Sequence, residues 1–167
     1  RHTIGCNCGT FWPIGMEKDI EKSCNNYFSS VFYKITEKYG PKGRNRAIDE
    51  WKEIMNSFGL GEFMNNDLAV GAKGKIPSGE FYTKRLGEKW HPYQSAIFNG
   101  MGQGDVLLTP LQMANFTATI VNRGWYFTPH IVKSIDGKPN PDERFKKKHV
   151  TKVEPRYFDV VLKGMKD

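Results

Sequence analysis

No run of apolar residues in this chain approaches the length of a membrane span, and no charged, apolar and small-residue leader opens it. If the protein works outside the cytoplasm, its targeting and its anchor are expected outside these 167 residues. Low-complexity tracts and internal repeats are also missing, which argues against solenoid and linker classes. Cysteine is scarce: Cys6, Cys8 and Cys24 make an odd set, so at least one is unpaired within a monomer, and the redox compartment stays open. His2 lies near Cys6 and Cys8, but zinc sites use wider cysteine spacings and four ligands, so no metal is expected. The glycines of Gly100-Met101-Gly102-Gln103-Gly104 precede no Lys-Ser/Thr and open no βαβ unit, so a nucleotide-binding reading fails and no cofactor is expected. Four histidines are present, none in a Ser-His-Asp setting or a Gly-x-Ser-x-Gly elbow. A serine nucleophile needs an activating base, and none is apparent. The carboxylates are scattered, with no pair suited to glycoside chemistry.

What is present suits one packed domain. Hydrophobic residues make up 38% and aromatics 13%, so large side chains carry much of the core. The net charge of +7 fits an anionic partner such as a membrane surface or a cell-wall precursor. The basic residues are dispersed, which argues against nucleic acid; Lys146-Lys147-Lys148 reads as a solvated turn or strand edge.

The pattern is mainly α with a small β element. A short exposed helix is expected over residues 16–22. An aromatic helix over 26–39 follows, with Tyr27, Phe28, Val31, Phe32 and Ile35 on its buried face and Gly40-Pro41 as its stop. Residues 45–58 form a second helix, with Ala47, Ile48, Trp51, Ile54, Met55 and Phe58 in one stripe and Gly59 behind it. Residues 59–93 are irregular and rich in Gly, a length of loop that is usually functional or mobile. Residues 93–98 read as extended. Thr109-Pro110-Leu111-Gln112 is a capping box opening a helix that Gly124 ends, and Ala114 and Ala118 would let another element pack close. Residues 125–135 read as an edge strand interrupted by Pro129, with 144–153 returning beside it. His130, within that strand, reads as structural. A last amphipathic helix after Pro155 presents Tyr157, Phe158, Val161, Leu162 and Met165, and the pattern running to Asp167 suggests a piece of something longer.

At Ser23-Cys24-Asn25-Asn26-Tyr27-Phe28, two small polar side chains sit one residue apart just before the aromatic helix. Locally they read as a helix cap, since Asn accepts well from first-turn N–H groups. Held by a buried helix, the same pair also makes a plausible piece of an active site.

Four segments in order carry a resemblance: this hexapeptide, the Gly102-Gln103-Gly104 step, Thr109-Pro110-Leu111-Gln112-Met113-Ala114, and Asn122-Arg123-Gly124 followed by Pro129-His130-Ile131-Val132. Together they resemble the transpeptidase domain of class B penicillin-binding proteins of the elongation type, from about residue 14 to 167. The resemblance implies part of a β-lactamase/transpeptidase-like fold, chiefly its helical part, and a single partial domain over 1–167. It implies a serine acyl-enzyme reaction that cross-links peptidoglycan stem peptides ending in D-Ala-D-Ala and is blocked by β-lactams. Such domains use three motifs: Ser-x-x-Lys, Ser-x-Asn and Lys-Ser/Thr-Gly. Ser23 would be the catalytic serine of the second motif, bonding the lysine and relaying a proton. Asn25 would be catalytic and substrate-binding, holding the lysine and the substrate carbonyl, while Cys24 would turn into packing. No serine here has a lysine three residues on, and Lys133-Ser134-Ile135 is not the third motif. Those motifs are expected before residue 1 and after residue 167, and the chain alone is expected to be inactive. The implied setting is the periplasmic side of the inner membrane, with elongation-complex membrane proteins as partners. Two alternatives stand beside it: a non-catalytic basic helical binding module, and a pseudo-enzyme interaction domain.

Overall fold

In the computed structural model, residues 15–166 are described. Six α-helices carry the architecture: α1 (Met16–Glu21), α2 (Asn25–Thr36), α3 (Arg44–Ser57), α4 (Gly79–Leu86), α5 (Pro110–Val121) and α6 (Phe158–Lys166). Four short strands form two antiparallel pairs. β1 (Trp125–Phe127) pairs with β4 (Lys148–Val150), and β2 (Ser134–Ile135) pairs with β3 (Lys138–Pro139). The register sets Tyr126 opposite His149.

Two apolar clusters hold the helices together. Phe32, Ile48, Tyr82, Trp90 and Ala96 join α2, α3 and α4; Phe58, Leu60, Ile76, Ile120 and Phe158 join α3, α5 and α6. Trp51 packs against both, so α3 is the common wall. Burying each of the large side chains contributes about 1.5–3 kcal/mol. α1 and α6 cross closely because of Gly164. A Cβ there would lie 2.5 Å from the Glu17 carbonyl oxygen and 2.8 Å from Ile20 Cβ. A helix-interior Gly costs about 1 kcal/mol relative to Ala, which the close contact offsets.

α5 is organised by its first turn as the sequence indicates. Thr109 Oγ1 accepts from the Gln112 backbone N–H at 3.2 Å, and Gln112 Oε1 accepts from the Thr109 N–H at 3.0 Å. Gln112 is wholly buried, and its Nε2 lies within hydrogen-bond reach of the Gly59, Glu62 and Lys73 carbonyls. One turn on, Asn115 Nδ2 donates to the Phe58 carbonyl at 3.1 Å. Two amides on one helix face thus tie α5 to carbonyls at the end of α3 and in the loop after it.

Several expectations are corrected. Residues 93–98 are not extended: they lie in two 3₁₀ turns, Pro92–Gln94 and Ala96–Met101, the first closed by a His91–Gln94 capping box. The strand expected over 125–135 breaks after Phe127, where Pro129 lacks the N–H a ladder requires, and its two halves belong to different sheets. The irregular 59–93 stretch, in which short helical or strand pieces are expected without a place for them, contains α4, capped by Ser78 Oγ accepting from the Phe81 N–H, in keeping with that expectation. Ile35, Ile54, Tyr157 and Met165, assigned to buried stripes, are exposed. Ala114 and Ala118 are exposed too, so no described element uses the close approach they permit.

Among the described residues, no helix is long and apolar enough to cross a membrane.

Candidate functional site

Ser23 and Asn25 sit on a sharp link between α1 and α2. The Ser23 N–H donates to the Ile20 carbonyl at 3.0 Å, and the Cys24 N–H donates to the Asp19 carbonyl at 2.9 Å. Ser23 takes a left-handed backbone with φ 47. This conformation costs an L-residue about 1–2 kcal/mol and is common where function fixes the backbone. Cys24 follows in an extended conformation, is fully buried, and is the residue that precedes α2. Asn25 is the first helical residue. The capping role expected of asparagine is therefore not used: the cap position belongs to Cys24, with no side-chain hydrogen bond. With Cys24 anchored inward, the side chains on either side of it face solvent.

Both side chains line one groove of about 260 Å³, with Ile20, Phe28, Gly100 and Met101. Among the described residues, neither the Ser23 hydroxyl nor the Asn25 amide has a hydrogen-bond partner. The opposite wall depends on glycine. A Cβ on Gly100 would lie 2.6 Å from the Phe28 carbonyl oxygen and 2.7 Å from Phe32 Cβ. Its backbone therefore rests directly on α2.

The Gly102-Gln103-Gly104 step leaves this wall through two positive-φ glycines, Gly102 at 70 and Gly104 at 77. A buried polar network fastens its far end. Asn99 Nδ2 donates to the Tyr82 hydroxyl at 2.6 Å, Asn99 Oδ1 accepts from the Asp105 N–H at 3.2 Å, and Ser95 Oγ donates to Asp105 Oδ2 at 2.6 Å. Arg85 of α4 completes it by pairing with Asp105. Burial pushes the Asp105 carboxyl up, but the Ser95 hydroxyl and the Arg85 charge outweigh it and hold it below the usual carboxylate range. Tyr82 is pushed up, chiefly by burial. Sequence reading missed this network. Its members come from three segments, α4, the 95–99 turn and the chain at Asp105, whose meeting no local pattern specifies, although Asp105 directly behind a Gly-rich turn is the type of residue to check.

Chemically, the groove offers a hydroxyl that both donates and accepts, and an amide fork. It holds no imidazole, carboxylate or ammonium among its lining residues. Such a wall can orient a polar substrate and pass a proton, but it cannot activate its own serine. His130 and His149 are occupied in the β1–β4 arm. His130 stacks on Phe145 at 4.3 Å, and His149 Nε2 lies 3.1 Å from Thr128 Oγ1. Burial, with the Lys147 charge beside it, holds His149 below the usual histidine range. The His2, Cys6 and Cys8 reading lies outside the described residues.

The family described as the penicillin binding protein transpeptidase domain matches residues 10–167. The chain belongs to the penicillin-binding protein transpeptidase family. Within that family it is 28% identical over 154 residues to the peptidoglycan D,D-transpeptidase MrdA of Escherichia coli K12, covering 91% of this chain and 22% of that protein. Its fold matches the crystal structure of Pseudomonas aeruginosa PBP2 in complex with WCK 5153, with a TM-score of 0.71 and 30% identity, covering 91% of this chain and 30% of that one. It also matches Helicobacter pylori PBP2 in its complex with MreC, with a TM-score of 0.61 at 23% identity over 89% of this chain and 24% of that one, a likeness of fold. The chain spans about a fifth of the length of MrdA. The mainly helical fold with small antiparallel sheets is thus part of a class B penicillin-binding protein transpeptidase domain, as the ordered motifs indicate.

Proposed function

We propose that residues 1–167 form a single partial transpeptidase domain whose Ser23–Asn25 groove is the Ser-x-Asn wall of a peptidoglycan D,D-transpeptidase. The carrying observation is that Ser23 and Asn25, separated by a buried Cys24, line one groove without hydrogen-bond partners among the described residues, in a chain of this family. Ser23 accepts a hydrogen bond from the catalytic lysine and relays a proton to the leaving D-alanine amine. Asn25 uses its amide oxygen toward that lysine and its amide N–H toward the stem-peptide carbonyl. The nucleophile with its lysine, and the Lys-Ser/Thr-Gly strand, are supplied from outside residues 1–167, since neither motif occurs within them. The protein works on the periplasmic side of the inner membrane, is acylated by β-lactams at the missing serine, and meets elongation-complex membrane proteins. The MreC complex of the Helicobacter pylori relative supports that partner class.

Removing jointly acting catalytic groups abolishes nearly all activity, so the 167-residue chain alone is inactive. Incubation with a fluorescent penicillin, followed by denaturing electrophoresis, tests this. No labelled band is expected, and a band that survives denaturation and is competed by unlabelled penicillin overturns the reading.

A further inference from the structure

Away from the Ser23–Asn25 groove, a cavity of about 330 Å³ opens between the end of α3, the loop after it, and the β1–β4 arm. It shares no lining residue with that groove. Its volume lies in the range of small-ligand sites. The polar groups around it are unevenly matched. Arg144 is already engaged: it contacts both Asp142 carboxylate oxygens and reaches Asn65 Oδ1 at 3.3 Å. Lys147 and Glu62, which also line the cavity, form no ion pair among the described residues. The Glu62 backbone is fixed, because its carbonyl accepts from Gln112 at 2.9 Å. Lys147 is exposed just before β4, and its charge adds to burial in disfavouring the charged His149 imidazolium.

The remaining lining is neutral and polar. Tyr126 stacks on His149 at 4.8 Å, and its hydroxyl has no hydrogen-bond partner among the described residues. Thr128 is occupied by His149. Asn56 Oδ1 is buried beside the cavity without a partner, an acceptor that ordinarily requires a donor.

We propose that this cavity binds a small zwitterion of the amino-acid class, its carboxylate on Lys147 and the Tyr126 hydroxyl and its ammonium on Glu62. One free cation and one free carboxylate on the same lining favour a ligand that carries both charges; a simple anion would leave Glu62 repelling it. The inference does not rest on the transpeptidase reading.

The test is a titration of the 167-residue chain with alanine and with dialanine, followed by NMR of the Tyr126 and His149 ring resonances. Acetate and ethylamine serve as the two half-ligands. Saturable shifts at both rings are expected with alanine or dialanine in the millimolar range. Each half-ligand should bind about tenfold more weakly, the size of one charge-assisted hydrogen bond. Lys147→Ala and Glu62→Gln should each weaken binding by a similar factor, and Lys146→Ala should leave it unchanged. Absence of saturable shifts with both zwitterions overturns the proposal. So does acetate binding as tightly as alanine, or full affinity retained in Glu62→Gln.

Discussion

Replacing Gln112 by Ala probes the joint on which α5 and the 59–75 loop depend. The side chain is wholly buried, accepts from the Thr109 N–H, and offers Nε2 to three carbonyls at 2.9 to 3.3 Å. An amide nitrogen carries two hydrogens, so two of those three bonds are made at full strength and the third is shared. With one bond accepted, three full hydrogen bonds disappear, each worth about 1 kcal/mol net, giving a loss of about 3 kcal/mol. In a domain of this size that corresponds to a fall in Tm of about 6–12 °C. Urea denaturation measures the loss, and amide exchange locates it. Protection should drop in the 59–75 loop and at Thr109, and persist in α2 and α4. Gln112→Glu is the informative partner. It keeps the acceptor for Thr109 but sets a carboxylate oxygen against carbonyls, so at neutral pH it should be less stable than Gln112→Ala. Acidification should narrow that gap as the carboxyl gains a proton it can donate. A Gln112→Ala protein within about 0.5 kcal/mol of the parent would refute the reasoning, since surface substitutions do no more than that.

Gly100→Ala should cost about 1–3 kcal/mol by overpacking, because its Cβ meets the Phe28 carbonyl oxygen at 2.6 Å. Gly102→Ala, with nothing within 4 Å but φ +70, should cost about 1–2 kcal/mol through backbone strain alone; thermal melts compare the two. Asp105 has a folded pKa below its unfolded value, so its contribution is complete above the unfolded pKa near 3.9 and is lost as pH falls through the folded value. Asp105→Asn should therefore flatten the acid limb of a stability-against-pH curve below about pH 4, where the parent declines. Ser23→Gly should raise stability by up to about 1–2 kcal/mol by relieving the left-handed backbone, whereas Ser23→Ala should not; equal melting temperatures for the two would remove the claim of strain.

Where the signal is local, the fold is legible. Thr109-Pro110-Leu111-Gln112 specifies the start of α5 by chemistry that needs no tertiary partner, and the structure shows both halves of the capping box. The stripe from Ala47 to Phe58 places α3 within one residue of its observed bounds, Arg44–Ser57. Other short local signals carry as much. Ser78 before Gly79-Glu80-Phe81 caps α4, and His91-Pro92-Tyr93-Gln94 closes a 3₁₀ turn where an extended segment was expected. The break after Phe127 follows from Pro129, which ends the pairing rather than marking an edge position within one strand. Long-range features were hidden for a physical reason. Whether Ile35, Ile54 or Ala118 is covered depends on what else packs there, not on helix periodicity. The buried partners of Gln112 and Asp105 lie on loops whose paths no pattern specifies. At the site, the local pattern reads Ser23 and Asn25 as a helix cap, and only the ordered set of segments implies a site role for them; the cap reading differs from the structure in detail, since Cys24 holds the cap position.

The most direct test of the Ser23–Asn25 wall is the rate at which a penicillin acylates the intact transpeptidase carrying Ser23→Ala. A proton-relaying hydroxyl contributes about 10²–10⁴-fold to such a step, so acylation should slow by at least about 100-fold while the melting temperature holds. Acylation at the parent rate by a folded Ser23→Ala protein would contradict the account.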